Sequence, residues 1–151
     1  MYMYKTKPFK HQEVVIDDSW ERPYYGLFME MGLGKSKVAI DTVGKLTLKG
    51  EIDSVMIVAP KGVYDNWIKQ EIPNHLPEEF ERFVVRWQPS TSKAFQDQMQ
   101  KLVFEMMAGI KFFVINVEAF SSERGKKAAY YFLKKNPDNM MIVDESTTIK
   151  N

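Results

Sequence analysis

The stretch Glu30-Met31-Gly32-Leu33-Gly34-Lys35-Ser36 puts a lysine where a helix should begin. A helix N-terminus carries partial positive charge and disfavours a cation, so an anion belongs beside Lys35. Phosphate is the anion that the surrounding residue types suit. Gly32 and Gly34 let successive backbone N–H groups, from Met31 through Leu33 to Ser36, turn inward around phosphate oxygens. The helix end adds its own field. Lys35 would reach the outer phosphates of a nucleoside triphosphate, and the Ser36 hydroxyl would hold Mg²⁺. The strict pattern G-x-x-x-x-G-K-[ST] asks for glycine at position 29, where this chain has Met29. Read alone, the loop also fits a flexible turn between strand and helix.

A second pair of groups decides between those readings. Asp144-Glu145 follows the apolar run "MMIV". An acid at a strand end can hold Mg²⁺, and its neighbour can orient an attacking water. Such a pair alone is usually solvated. Beside a glycine–lysine loop it supplies the other half of one Mg–nucleotide site, in the expected chain order. A third element is "KPFKHQ": Gln12 lies 23 positions before Lys35, and an amide can both donate to and accept from an adenine edge. An exposed helical glutamine is the bland alternative.

These residues need a frame to hold them. Five short apolar runs read as strands: Tyr25–Met29, Val55–Ala59, Phe83–Trp87, Lys111–Asn116 and Met140–Glu145. They are continuous rather than alternating, as strands covered on both faces are. Helical patterns separate them. Ala39, Val43 and Leu46 recur at helical spacing after Lys35, and Gly50 offers a stop. Val63, Trp67 and Ile68 mark a short helix closed by Pro73. Phe95, Met99, Leu102, Val103 and Met106 form a 3.6-period stripe with Gly109 behind it. Gly125 to Lys135 is helical up to Asn136-Pro137, and Pro8 to Trp20 forms a helix before the first strand. Strand–helix alternation predicts a parallel sheet with right-handed crossovers, whose ligands lie beyond the carboxyl ends of the strands. Both the glycine–lysine loop and Asp144 fall at such ends.

The totals set outer bounds. The chain has 151 residues, 44% apolar and 27% charged, with a net charge of +1, the balance of one soluble domain with a sizeable core. Charge is uneven: Lys5, Lys7 and Lys10 stand in the first ten residues without an acid, and Arg124, Lys126, Lys127, Lys134 and Lys135 face only Glu123. Both clusters read first as solvated surface. The absence of cysteine excludes disulfides, zinc–thiolate sites and a cysteine nucleophile. No run approaches the about 20 apolar residues that span a bilayer, and the N-terminus lacks a signal-peptide core, so a cytoplasmic location is expected and no membrane partner. His11 and His75 have no second ligand at metal-binding spacing, and Asp17-Asp18 reads as a solvated pair. Trp67 and Trp87 suit core packing better than base stacking.

Together "KPFKHQ", "EMGLGKS", "IVAPKGVYDNWIKQE", "VINVEAF" and "VDESTTIKN" resemble the first ATPase lobe of the Swi/Snf-type superfamily 2 helicase-like proteins, over nearly the whole chain. The wording of "LFMEMGLGKS" resembles phage and bacterial members more than chromatin remodellers; a phage-encoded protein would work in its host's cytoplasm. The resemblance implies an α/β fold of RecA-like P-loop type, with a parallel sheet of five or more strands and helices on both faces. It implies ATP and Mg²⁺ as ligands, Gln12 as adenine reader, Lys35 and Ser36 as the Walker A pair, and Asp144 and Glu145 as the Walker B pair. "APKGVYDNW" matches the segment called motif Ia, which touches the nucleic-acid backbone; with it come Lys61 and Asn66. "NVEAF" resembles motif Ib and brings Asn116. Thr147 stands where the family often has a histidine. The family continues into motif III and a second lobe that carries arginine fingers. By resemblance, then, residues 1–151 are expected to be one lobe, cut after motif II, of a DNA-dependent ATPase or translocase that acts on DNA through backbone contacts, with the second lobe as its partner. Two rivals remain open from the sequence: a small P-loop kinase, which would need an arginine-rich lid where this chain has only Arg22, Arg82, Arg86 and Arg124 scattered, and a nucleic-acid- or partner-binding lobe that does not hydrolyse ATP.

Overall fold

Strand-forming runs of valine, isoleucine and phenylalanine and the helical stripes between them settle into an alternating β/α order. The computed structural model describes residues 2–5, 27–29 and 35–144. The strands are β1 (Leu27–Met29), β2 (Ser54–Ala59), β3 (Arg82–Arg86), β4 (Ile110–Asn116) and β5 (Asn139–Asp144). The helices are α1 (Lys35–Leu48), α2 (Tyr64–Asn66), α3 (Ile72–His75), α4 (Lys93–Phe104) and α5 (Glu123–Lys135). A π-helical turn (Trp67–Glu71) joins α2 to α3, and a 3-10 turn (Val117–Ser121) follows β4. All strand pairs are parallel, in the order β1-β5-β2-β4-β3. Four strands of five to seven residues form the body of the sheet, and the three-residue β1 adds to one edge.

The chain crosses the sheet one way through α1 and the α2–α3 stretch, then returns through α4 and α5. Right-handed crossovers must change face when the direction of travel reverses, and the core divides accordingly. Ala39, Ile40, Val43, Trp67, Ile72 and Leu76 pack on Val55, Ile57, Phe112, Val114 and Ile142. On the other face Phe95, Leu102, Val103, Ala129 and Phe132 pack on Met56, Val85, Phe113 and Ile115. Fully burying a side chain of this size stabilises by about 1.5–3 kcal/mol relative to exposure. Burial on both faces holds throughout β2 and β4. It does not hold for β3 and β5: β3 is a sheet edge, and β5 buries Met140 and Ile142 while Met141 on the opposite face stays 37% exposed.

Helix α1 ends as its sequence requires. Gly50 takes φ +80, its N–H bonds to Thr47 O at 3.0 Å and Glu51 N–H to Leu46 O at 2.9 Å, the paired bonds of a Schellman cap. Two expected boundaries are corrected. Pro73 does not close the helix before it; the helical path runs on to His75 and stops at Leu76, ψ 123, just before Pro77. Pro73 sits in the first turn of α3, where its missing N–H costs little, and Pro77 drives Leu76 into the extended region. Met106 does not belong to the α4 stripe. The helix ends at Phe104, Glu105 is already extended, and Met106 is fully exposed. The Pro8–Trp20 helix lies outside the described residues.

The N-terminal segment is tied to α1. The Tyr2 ring lies against Gly44, and a Cβ there would collide with it. Tyr2 Oη donates to Asp41 Oδ1 at 2.6 Å, and Lys37 Nζ donates to Asp41 Oδ2 at 2.8 Å, so both oxygens of a fully buried carboxylate are satisfied. Lys5 Nζ donates to Pro73 O at 2.8 Å. Burial and the adjacent Asp41 carboxylate raise the Tyr2 phenol well above its ordinary 10.0. A raised phenol keeps its proton in the folded chain after the unfolded chain has lost it. Its stabilisation is therefore complete below pH 10.0 and lost progressively above that value. Tyr2→Phe keeps the ring in place and removes one donor from a buried charge, an expected loss of about 1.5–3 kcal/mol. Urea unfolding on either side of pH 10.0 checks it: the variant should be weaker below that pH and should show a smaller fall above it.

Candidate nucleotide site at the carboxyl edge

The sheet register brings the chemistry to one edge. Met29 at the end of β1 pairs with Asp144 at the end of β5, and Ala59 at the end of β2 pairs with Asn116 at the end of β4. Helix α1 opens at Lys35, a few residues after β1, so Ser36 and Asp144 belong to neighbouring segments of this edge. Met29 is the last residue of a strand rather than the first of a loop. Of the expected site, Gln12, Met31, Gly32, Leu33, Gly34 and Glu145 lie outside the described residues, and Lys35 is described only as the first residue of α1.

The two remaining groups are engaged by one stretch of chain. Ser36 Oγ donates to a carboxylate oxygen of Glu71. Trp67 Nε1 donates to Asp144 Oδ2 at 3.2 Å. Asp144 is only 7% exposed, and an indole N–H is a neutral donor that satisfies one carboxylate oxygen without removing the charge. Glu71 also takes His75 Nε2 at 3.4 Å and Asn66 Nδ2 at 3.5 Å. The histidine contact is the main cause of a carboxyl held below its ordinary value; partial burial opposes it and the Ser36 bond supports it.

The donor set suits a hard cation. A hydroxyl that donates its proton to a carboxylate keeps both lone pairs, and a strand-end carboxylate adds charge; Mg²⁺ prefers such oxygens. Among the described residues no three histidine or acidic side chains cluster as a metal cage. Mg²⁺ needs none, because in nucleotide sites it takes one or two protein oxygens together with phosphates.

Farther along the edge, Lys61 is exposed in the turn after β2, where Pro60 O accepts from Val63 N and Tyr64 N. Asn66 is half-buried. Asn116 is buried, and its Nδ2 donates to Glu118 at 3.3 Å. Trp67 and Trp87 are both core residues, 2% and 5% exposed, in agreement with the packing reading. The described arginines are occupied: Arg82 donates to Phe80 O and Pro77 O, Arg86 to Asp65 at 2.6 Å, and Arg124 to Ser90 O at 2.6 Å.

The family model for the SNF2-related domain matches residues 25–151, a span that includes this edge. The chain belongs to that family. It is an N-terminal lobe of the Swi/Snf helicase type, as the motifs at its strand ends led one to expect. It is similar to a protein of Arabidopsis thaliana described as a probable ATP-dependent DNA helicase, 32% identical over 126 residues, or 81% of this chain. The match spans 10% of that protein's length. No described helix of this SNF2-related lobe is long and apolar enough to cross a membrane.

Two residues that contact Ser36 and Asp144 were missed by sequence reasoning. Glu71 was never singled out, and Trp67 was read for its bulk alone. Their four-residue spacing is visible in the sequence, but the π turn that aims both side chains at this edge is not.

Proposed function

We propose that this lobe is of RecA-like type and binds ATP·Mg²⁺ as half of a DNA-dependent translocase motor. The observation that carries the reading is that Ser36, at the start of α1, and Asp144, at the end of β5, meet one and the same helical segment at the carboxyl edge of a parallel sheet. Lys35 would meet the outer phosphates, Ser36 and Asp144 would hold the metal, Glu145 would orient the water, and Gln12 would read adenine, with Met31 to Gly34 cradling phosphate. Mg²⁺, when bound, would withdraw charge from the phosphate oxygens. Nucleotide titration with and without Mg²⁺ tests this part; equal affinity in both would end it.

The nucleic-acid part of the reading rests on Lys61, Asn66 and Asn116 at the same edge. Lys61 offers an exposed cation, Asn66 a half-buried amide, and Asn116 a position whose own amide is already engaged. Few cations mean few neutralised phosphates. Duplex binding by residues 1–151 should therefore be weak, indifferent to sequence, and salt-dependent with a log–log slope of about −0.9 for each phosphate contacted. Fluorescence anisotropy across a salt series measures the slope, and Lys61→Ala should lower it by about one such unit. Tight, sequence-selective and salt-insensitive binding contradicts the motor reading.

A further inference from the structure

The turn Trp67–Glu71 is wound more loosely than the helices on either side, with Ile72 N–H bonding back to Trp67 O. Single π turns inside α-helices are rare and recur at functional positions. Here the turn sends two side chains to the two metal-holding residues: the Trp67 indole to Asp144 and the Glu71 carboxylate to Ser36. We propose that Trp67 and Glu71 are positioning residues of the metal site, which set the orientation of the Asp144 carboxylate and of the Ser36 hydroxyl from a single turn. This rests on the ATP·Mg²⁺ reading above and extends it to two residues that touch neither nucleotide nor metal.

Hydrogen-bond direction supports the assignment. Ser36 is the donor to Glu71, so its oxygen lone pairs are left to face a cation. A carboxylate behind the hydroxyl also raises the electron density on that oxygen, the usual role of an acid behind a metal ligand. The indole N–H is a neutral donor, so it fixes one Asp144 oxygen without neutralising the carboxylate. A buried indole needs some acceptor, but core packing alone does not require that acceptor to be the strand-end carboxylate. Glu71 is itself pinned by His75 and Asn66. The segment is anchored at its other end, where Tyr64 Oη donates to Trp87 O at 3.3 Å and Asp65 accepts from Arg86. The turn is thus braced between the end of β3 and the start of α1.

Mn²⁺ serves as the probe, read by electron paramagnetic resonance with ADP present, alongside ADP binding in chelator. Outer hydrogen-bond partners of a metal ligand typically contribute about 10- to 100-fold in metal affinity. Glu71→Ala and Trp67→Phe should each weaken Mn²⁺ binding by that order, while metal-free ADP affinity stays as in the parent chain. Glu71→Gln should recover part of the loss, because its amide oxygen still accepts from Ser36. Trp67 is a core residue, so thermal unfolding accompanies its variant; the Glu71 pair tests the idea even if Trp67→Phe packs badly. Unchanged Mn²⁺ affinity in the Glu71 variants overturns the proposal, as does an equal loss of ADP affinity with and without metal. A parent chain that binds ADP no better with Mn²⁺ than without it overturns the nucleotide–metal reading itself.

Discussion

Residues 1–151 alone should hydrolyse ATP slowly and respond little to duplex DNA. Phosphoryl transfer spreads negative charge over the γ-phosphate and the leaving oxygen, so its rate depends on how many positive groups face those atoms. In the proposed site Lys35 and the cation held by Ser36 and Asp144 supply part of that charge. An arginine finger typically contributes about 10³ to 10⁵ in rate. None of the described arginines is placed to serve. Arg82 is bound to the carbonyls of Phe80 and Pro77, Arg86 to Asp65 near the end of β3, and Arg124 to Ser90 O, with its guanidinium over the Trp87 ring. Turning any of them toward the Ser36–Asp144 edge would break these bonds. A steady-state phosphate-release assay with and without duplex DNA measures the result. Turnover near that of a complete motor would show a finger within these residues, and single Arg→Ala changes would then locate it. Glu145→Gln should abolish even this slow turnover and spare ATP binding. The same occupied arginines weigh against a kinase with an arginine-rich lid.

The frame was legible because its signals are local. Continuous apolar runs gave the four long strands to within a residue or so, and Gly50 and Asn136 stand at helix ends, as their chemistry suits. The errors came where distant packing or an alternative local geometry overrode a rule. Pro73 is a helix stop in isolation, yet within a continuing helical path its lost N–H falls in a first turn. Met106 keeps the period of the α4 stripe, but the helix has already ended at Phe104. Residue types and spacing pointed to Ser36 and Asp144. They could not reveal that Trp67, far off in sequence, would turn its N–H toward Asp144, or that Glu71 would take the Ser36 proton. Those contacts depend on a π turn that changes the phase of the helix, and no propensity encodes it.

Lys35→Ala should remove most of the affinity for ATP·Mg²⁺ while leaving the fold intact. Lys35 opens α1, and the core residues of that helix begin further along it, at Ala39, Ile40 and Val43. Its charge at a helix N-terminus is unfavourable without a bound anion, so alanine there should be tolerated or slightly stabilising in the free chain. With nucleotide present the balance reverses. A hydrogen bond from a charged group typically contributes about 1.5–3 kcal/mol, so its loss corresponds to about a tenfold to hundredfold weakening. Thermal unfolding of the free proteins should therefore coincide or favour the variant slightly, and only the parent chain should gain stability when ATP·Mg²⁺ is added.

The most direct measurement is an isothermal calorimetric titration of ATP·Mg²⁺ into the parent chain and the Lys35→Ala variant. The account predicts one saturable site in the parent chain and a site weakened by at least about tenfold in the variant. Equal affinities in the two, or no binding by the correctly folded parent chain, would contradict it.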